Sequence, residues 1–375
     1  MSEKLPAGSA EAARAACGGG QRSEGGESPP SKIISPITQR RLHVFRHNRR
    51  GFYSAVLLLI LFSLSLLSEC IANDKPILIR YEGRLLAPIL QRYSERATFH
   101  GQLESEADYR DPWVQHEITA HGWMLWPPIR FDYASINFDI QRAPSPPSRT
   151  NLLGTDDQAR DVLARVLYGF RLSTLFALAL VGLSSAVGVT IGALCGYFGG
   201  TLDLFMQRFI EIWHGIPVLF LLIILSSMVV PNFWWILALM LLFSWTALVD
   251  VVRAEFLRAR NLDYVRAARA LGVRQRTIIF RHMLPNAMVS VFTFLPFLIT
   301  GAVTTLASLD FLGFGLPSGS PSLGELLQQG KNNPQSPWLG LIGFAALALL
   351  LSLWLFVGEA VRDAFNPRKI YRGAK

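Results

Sequence analysis

The feature that most constrains this chain is a series of long, largely apolar runs. Hydrophobic residues make up 51% of the 375 residues and charged residues only 17%, and the apolar residues are gathered into blocks. A helix needs about 20 apolar residues to cross the hydrocarbon core of a bilayer. The sequence therefore predicts an all-α polytopic membrane protein with six transmembrane helices. The six runs occupy residues 52–71, 172–198, 214–230, 234–249, 288–309 and 338–357.

Basic residues flank these runs in a consistent pattern. Five arginines lie between residues 40 and 50, eight lie between Arg253 and Arg281, and five basic residues follow the last run. Because segments on the cytoplasmic side carry an excess of Lys and Arg, we predict a multi-pass protein with both termini in the cytoplasm. The same rule accounts for the net charge of +9. The charge therefore does not indicate a nucleic-acid partner.

The segments outside the runs divide the chain further. Residues 1–36 are rich in small and polar residues and contain no aromatic residue, so they bury too little apolar area to order themselves. After the first run, a Glu82–Gly83 turn between two strand-like stretches and an alternating stretch at 131–140 predict a small, mainly β insert. The predicted units are a mostly disordered cytoplasmic tail (1–51), a first transmembrane helix (52–71), a periplasmic insert and linker (72–155), a five-helix core (156–366) with a cytoplasmic loop (253–286), and a second cytoplasmic tail (367–375).

Residues with catalytic or metal-binding spacing are not apparent. The apolar core offers no nucleophile with a nearby base, and Cys17, Cys70 and Cys195 have neither metal-ligand spacing nor an obvious disulfide partner. The stretch at 324–331, GELLQQGK, differs from a phosphate-binding loop because five residues separate its glycines and asparagine follows the lysine. We therefore predict no catalytic residue, no metal and no cofactor on this chain. Any nucleotide must bind to another chain.

The loop between the fourth and fifth runs is the most informative segment. It reads YVRAARALGVRQRTIIFRHMLPN from Tyr264 to Asn286. Two adjacent alanines allow another protein to approach closely, a glycine suits the left-handed position that ends a helix, and a Leu-Pro pair suits the first turn of the next membrane helix. A merely basic loop would explain the arginines but not this order. The residues that define this order are Ala267, Ala268, Gly272, Leu284 and Pro285.

This order resembles the EAA loop of ABC importer permeases, in which a coupling helix docks on the ATPase subunit. Two further segments, 153–169 and 309–317, are similar to segments at the outer helix ends of dipeptide and oligopeptide permeases of the OppC/DppC kind. The sequence departs from the family pattern at Arg266, where the family has glutamate, and at Ala159, where glycine is usual. Within the family, stretches of the insert at 73–76, 106–112 and 122–130 resemble the YejE-type permeases of microcin C and peptide importers.

The resemblance implies a function and a set of partners. It implies the type I importer fold and an ATP-driven importer in the bacterial inner membrane that moves peptides, or microcin C-like peptide antibiotics, from the periplasm to the cytoplasm. The implied partners are a second homologous permease subunit, ABC ATPase subunits that bind the ATP, and a periplasmic peptide-binding protein. Residues of the substrate pathway are not identified. A secondary transporter subunit and a membrane-anchored scaffold are the alternatives, although the first calls for inverted repeats and buried charges.

Overall fold

A computed structural model describes residues 36–366 of the chain. Met1–Arg40 and Arg41–Lys375 form two separate contact units, and every helix and strand except the first residues of α1 (Pro36–His47) lies in the second. Most of the predicted disordered tail, and the predicted second tail at 367–375, lie outside the described residues.

Six membrane spans are present among the described residues. Five helical segments are long and apolar enough to cross a bilayer, and the sixth span is a pair of helices that meet at a bend of 74°. The prediction of six transmembrane helices in an all-α fold is thus confirmed with the bent pair counted as one span. The spans are α2 (Arg49–Leu66), α6 (Val162–Phe198), α7 (Gly200–His214) with α8 (Val218–Met228), Phe233–Ala259, Gln275–Leu312 and α15 (Pro337–Phe365).

The bent span differs from the sequence prediction in where it begins. We expected the third transmembrane helix to begin at His214, but the span begins at Gly200 and His214 lies at the bend. The first half was missed because α7 is amphipathic, and its Asp203, Arg208 and Glu211 interrupt the apolar run. The break between α7 and α8 includes Gly215 and Pro217, residue types that commonly bend helices.

Close helix packing in the membrane depends on a row of small residues in α6. The fourth span consists of α9 (Phe233–Ser244), a 3₁₀ turn and α10 (Val249–Ala259). Gly188, Gly192 and Gly196 recur every four residues on the face of α6 that meets this span. A Cβ atom at any of the three would lie 2.4–2.6 Å from an atom of this span. Glycine at these positions therefore lets the two helices approach closely, as in other membrane helix pairs.

The segment between α2 and α6 contains the predicted small sheet. Its antiparallel strands are β1 (Leu78–Tyr81), β2 (Arg84–Leu86) and β3 (Gly122–Leu125), in the order β2-β1-β3. The predicted hairpin is confirmed, because Glu82 and Gly83 both have positive φ in the turn between β1 and β2, as the favoured tight turns of hairpins require.

The predicted alternating strand at 131–140 is wrong. This stretch contains only an isolated bridge, between Ile136 and Arg160. The Asp132 carboxylate instead accepts the backbone N–H groups of Ala134 and Ser135 at 2.6 and 2.5 Å, which holds the chain in a local turn. Side chains that bond to nearby backbone in this way compete with strand pairing. Two short helices complete the insert, α4 (Glu95–Phe99) and α5 (Pro112–His121), and a third, α3 (Ser68–Ile71), connects it to α2.

Candidate functional site

The predicted docking residues begin in a short helix between the fourth and fifth spans. This helix, α11 (Asp263–Ala270), ends where Gly272 adopts a φ of +72°. The N–H of Val273 donates to the carbonyl of Ala268 and the N–H of Gly272 donates to that of Arg269, both at 3.0 Å. This pair of bonds is the Schellman motif, which favours glycine because other residues are strained in left-handed geometry. The glycine therefore ends α11 as the sequence predicted.

The two adjacent alanines of α11 face different surroundings. Ala268 is buried with Val265 in a cluster that also contains Phe256 of α10. Ala267 is exposed and lies on the outer face of the helix. This outer face ends at Leu271, whose side chain is 83% exposed. Ala268 therefore holds α11 against the membrane spans, whereas Ala267 and Leu271 are exposed on its other face.

Leu284 and Pro285 lie in the first turn of α13 (Leu284–Leu312), as the sequence predicted. The helix before them does not end there, because one helical segment runs from Gln275 to Leu312. It consists of α12 (Gln275–Thr277), a π-helical turn (Ile278–Met283) and α13. Pro285 has no N–H to continue the hydrogen-bond ladder, and the π-helical turn directly before it is a usual way for a helix to absorb such an interruption.

We call residues 260–283 the coupling segment, and its exposed surface is strongly basic. The segment has one acidic residue, Asp263. None of the ion pairs found among residues 36–366 involves its arginines. Arg269 instead lies over the ring of Tyr197 at 4.9 Å, and Arg266, at the position where the related pattern has glutamate, is exposed. Within the described chain these positive charges are therefore not neutralised. The arginines are Arg260, Arg266, Arg269, Arg274, Arg276 and Arg281.

At the opposite end of α6 lies a buried group of charges, which we call the Asp156 cluster. Arg165, in the first turn of α6, is fully buried and pairs with Glu325 at 2.9 Å and with Asp156 at 3.4 Å. Arg160 pairs with the same two acids at 2.7 and 3.4 Å. Glu325 belongs to α14 (Leu323–Asn332), between the fifth and sixth spans. Two arginines and two carboxylates thus neutralise each other and join α6 to α14.

The loop that carries the Asp156 cluster is fixed by further buried polar contacts. Asp161 caps α6 by accepting the N–H of Ala164 at 2.8 Å, and it accepts the Asn151 side-chain amide at 2.8 Å. Burial raises the pKa of Asp161 above its ordinary value. The turn before it holds Ala159 at a φ of +63°, in the left-handed region. A glycine at this position would adopt that geometry without strain.

Sequence reasoning missed the Asp156 cluster as a unit. Asp156, Arg160 and Arg165 lie within the segment 153–169, which was noted only for its resemblance to permeases. Glu325 lies in the stretch that was compared with a phosphate-binding loop. The available signal was the spacing of these three charged residues, four and five positions apart, at the start of a long apolar helix. Burying a charge without a partner is costly there, so the spacing suggested that the charges pair with one another.

Comparison with known proteins agrees with this architecture. The family described as "Binding-protein-dependent transport system inner membrane component" matches residues 188–371. The inner membrane ABC transporter permease protein YejE of Escherichia coli (strain K12) is 62% identical over 337 residues, which cover 90% of this chain and 98% of the relative. The peptidoglycan transport system permease protein YejE of Agrobacterium fabrum is 54% identical over 92% of this chain and 96% of the relative.

A more distant relative shows the wider family. The oligopeptide transport system permease protein OppC of Haemophilus influenzae is 32% identical over 67% of this chain and 80% of the relative. The resemblance to OppC-like and YejE-type permeases is thereby confirmed. The chain has six spans, a basic segment between the fourth and fifth spans, and sequence identity to such a permease along nearly its whole length. It therefore belongs to the inner membrane permease subunits of binding-protein-dependent ABC importers.

Proposed function

We propose that this permease subunit forms one half of the transmembrane pathway of a peptide importer. Two relatives support a peptide cargo by their names, since one belongs to an oligopeptide transport system and the other to a peptidoglycan transport system. Peptidoglycan fragments and oligopeptides share peptide bonds, and so do peptide antibiotics of the microcin C type. The cargo class of the proposal is therefore a peptide, carried from the periplasm to the cytoplasm.

The proposal assigns a side of the membrane and a partner to each part of the chain. Both termini and the coupling segment face the cytoplasm, and the insert and linker at 72–155 face the periplasm. A second homologous permease subunit completes the pathway, and a periplasmic binding protein delivers the peptide. ATP binds to a separate ATPase subunit, so this chain carries no cofactor and catalyses no reaction. The basic coupling segment agrees with this orientation under the positive-inside rule.

The main support for the coupling role is that one face of α11 is buried against the membrane spans while its other face is exposed. Val265 and Ala268 belong to the same core cluster as Phe256 of α10 and Val291 of α13. A displacement of α11 by the ATPase is therefore transmitted to the fourth and fifth spans. Only contacts that differ between two states can transfer free energy from ATP hydrolysis to the pathway. The proposed coupling residues are Ala267, Ala268, Gly272, Leu284 and Pro285.

Replacing Gly272 tests this proposal. We expect Gly272→Val to lower peptide-stimulated ATPase activity several-fold in the reconstituted complex, because left-handed geometry costs other residues about 1–2 kcal/mol and distorts the end of α11. A Cβ at Gly272 meets no atom within 4 Å, so strain rather than a clash is the expected cause. Gly83 is a matched control, since it has a φ of +80° and equally open surroundings in the insert.

The two variants separate coupling from general damage. Gly83→Val carries similar backbone strain but lies outside the coupling segment, so we expect it to keep wild-type ATPase stimulation. Normal stimulation in an assembled Gly272→Val complex would contradict the coupling role. Equal loss in both variants would show that the effect comes from strain anywhere in the chain.

A further inference from the structure

A cavity of about 360 Å³ lies among the spans, between α6, the bent α7–α8 pair, the fourth span and α13. Its volume is near the lower end of the range of about 300–1,000 Å³ for pockets that bind small ligands. It has room for one large side chain and the adjoining backbone rather than for a whole peptide. Most of the wall is apolar and includes Leu180, Leu222, Met240, Phe243, Phe297 and Leu298.

His214 gives the wall of this cavity a hydrogen-bond acceptor. Its Nε2 lies 2.9 Å from the hydroxyl oxygen of Thr246, which in turn lies 3.0 Å from the carbonyl oxygen of Phe243. In the tautomer that carries its proton on Nε2, the ring donates to this hydroxyl and the hydroxyl donates to the carbonyl. In the neutral imidazole, Nδ1 is then an acceptor. The bend between α7 and α8 begins at this residue, which leaves the ring at the wall of the cavity.

The other polar groups of the wall are also acceptors. The hydroxyls of Ser184, Ser244 and Thr305 each donate to a backbone carbonyl of their own helix, at 3.3, 2.8 and 3.0 Å. With these bonds made, the hydroxyl oxygens offer lone pairs to the cavity. A ligand that supplies N–H or O–H donors therefore suits this wall better than an anionic headgroup. A lipid acyl chain would leave the His214 acceptor unused, whereas a peptide offers both a side chain and an N–H.

We propose that this cavity is a cargo site that takes one large apolar side chain of the transported peptide. The His214 Nδ1 accepts the backbone N–H beside that side chain. The inference rests on the proposed peptide importer and adds a selectivity to it: cargo with a large apolar residue is transported better than cargo with a small one.

Gly301 of α13 offers a way to fill the cavity without disturbing its wall. It lines the cavity, and a Cβ at this position meets no atom within 4 Å. A leucine at 301 therefore occupies the space that the cargo side chain would take. Gly182 of α6 is equally open to a Cβ but does not line the cavity, so Gly182→Leu is the matched control.

The experiment measures uptake of the tripeptides Ala-Ala-Ala, Ala-Leu-Ala and Ala-Phe-Ala by the complete importer with its binding protein in proteoliposomes. We expect Gly301→Leu to lower uptake of the leucine and phenylalanine peptides about tenfold relative to Ala-Ala-Ala, and Gly182→Leu to keep the wild-type ratios. A second measurement uses Ala-X-Ala with a photoreactive benzoylphenylalanine at X. In the wild type it should cross-link to lining residues such as Met240, and in Gly301→Leu this cross-link should be lost.

Each other outcome overturns the cargo site. Uptake ratios unchanged by Gly301→Leu, or an equal fall for all three peptides, would show that the cavity does not discriminate among side chains. A Gly301→Leu chain that no longer assembles with the second permease would assign the cavity to the subunit interface. No uptake of any peptide by the wild-type importer would instead refute the proposed function, and with it this inference.

Discussion

Arginines lie near both ends of α6, but their surroundings differ. At one end, Arg160 and Arg165 of the Asp156 cluster are buried and share two carboxylates. At the other end, the six arginines of the coupling segment have no ion-pair partner within residues 36–366, and Arg266 is exposed. The first set of charges is satisfied within the chain. The second is available to another chain.

This difference shows that charge composition alone does not assign a role to a basic segment. The positive-inside rule predicts where arginines accumulate, but it does not say whether they are paired. Buried ion pairs lose much of their hydration and must be well matched, so the Asp156 cluster fixes α14 against α6. Exposed charges contribute little to the stability of the chain itself. The coupling segment is therefore suited to binding a partner rather than to holding the fold.

Removing one charge of the Asp156 cluster should have the largest effect on stability. Arg165→Ala leaves Asp156 and Glu325 buried with Arg160 as their single cationic partner. Breaking a buried ion pair in this way costs about 3–5 kcal/mol. We expect a clear fall in the melting temperature of the purified complex in mild detergent, monitored by size-exclusion chromatography after heating.

The matched control for this variant is Arg171→Ala. Arg171 also lies in α6, but its contact with Glu69 is 3.5 Å long and partly exposed. Such pairs contribute about 0–1 kcal/mol, so the melting temperature should change little. If both variants lowered the melting temperature by the same small amount, the Asp156 cluster would contribute no more to stability than a partly exposed ion pair does.

The coupling segment should show the opposite behaviour, with little effect on stability and a larger one on binding. Leu271 is 83% exposed, so Leu271→Ala should leave the stability of the chain within about 0.5 kcal/mol of wild type. If Leu271 fits a pocket of the ATPase, its truncation should cost about 1–2 kcal/mol of binding, or roughly tenfold in affinity. Titration of the ATPase onto permease in nanodiscs measures this change.

An equally exposed leucine elsewhere provides the control. Leu90 of the insert is 87% exposed, and in the proposed orientation it lies on the periplasmic side. Leu90→Ala should therefore leave ATPase affinity unchanged. An unchanged affinity in Leu271→Ala would remove Leu271 from the proposed docking surface.

The sequence predicts best those features that depend on residues close together in the chain. The membrane spans follow from continuous apolar runs, and the left-handed Gly272 follows from its place after a short helix. The start of α7 was missed because Asp203, Arg208 and Glu211 lie on one amphipathic helix and break the run. The strand at 131–140 was wrongly predicted because one side chain, that of Asp132, holds a local turn.

The Asp156 cluster was missed for a different reason. Arg160 and its partner Glu325 are 165 residues apart. Neither residue alone shows that it is buried, because charged residues near the start of a membrane helix usually reach the interface. Their pairing depends on how α14 returns to α6, and a single sequence does not contain that information in any local pattern. The cavity beside His214 depends in the same way on four spans packing together.

The smallest predicted effect is a gain in stability next to the Asp156 cluster, from the substitution Ala159→Gly. Ala159 has a φ of +63° beside the Asp156 cluster, where a residue with a Cβ is strained by about 1–2 kcal/mol. Ala159→Gly removes this strain but increases the conformational entropy of the unfolded chain, which offsets about 0.5–1 kcal/mol. We expect a net gain of roughly 0.5–1 kcal/mol, seen as a modest rise in melting temperature.

The same substitution at Ala186, an exposed position inside α6, should lower stability by about 1 kcal/mol, since glycine weakens a helix interior. Opposite signs would show that backbone strain at residue 159 is the cause, whereas a loss in both variants would mean that the turn before Asp161 depends on the alanine side chain.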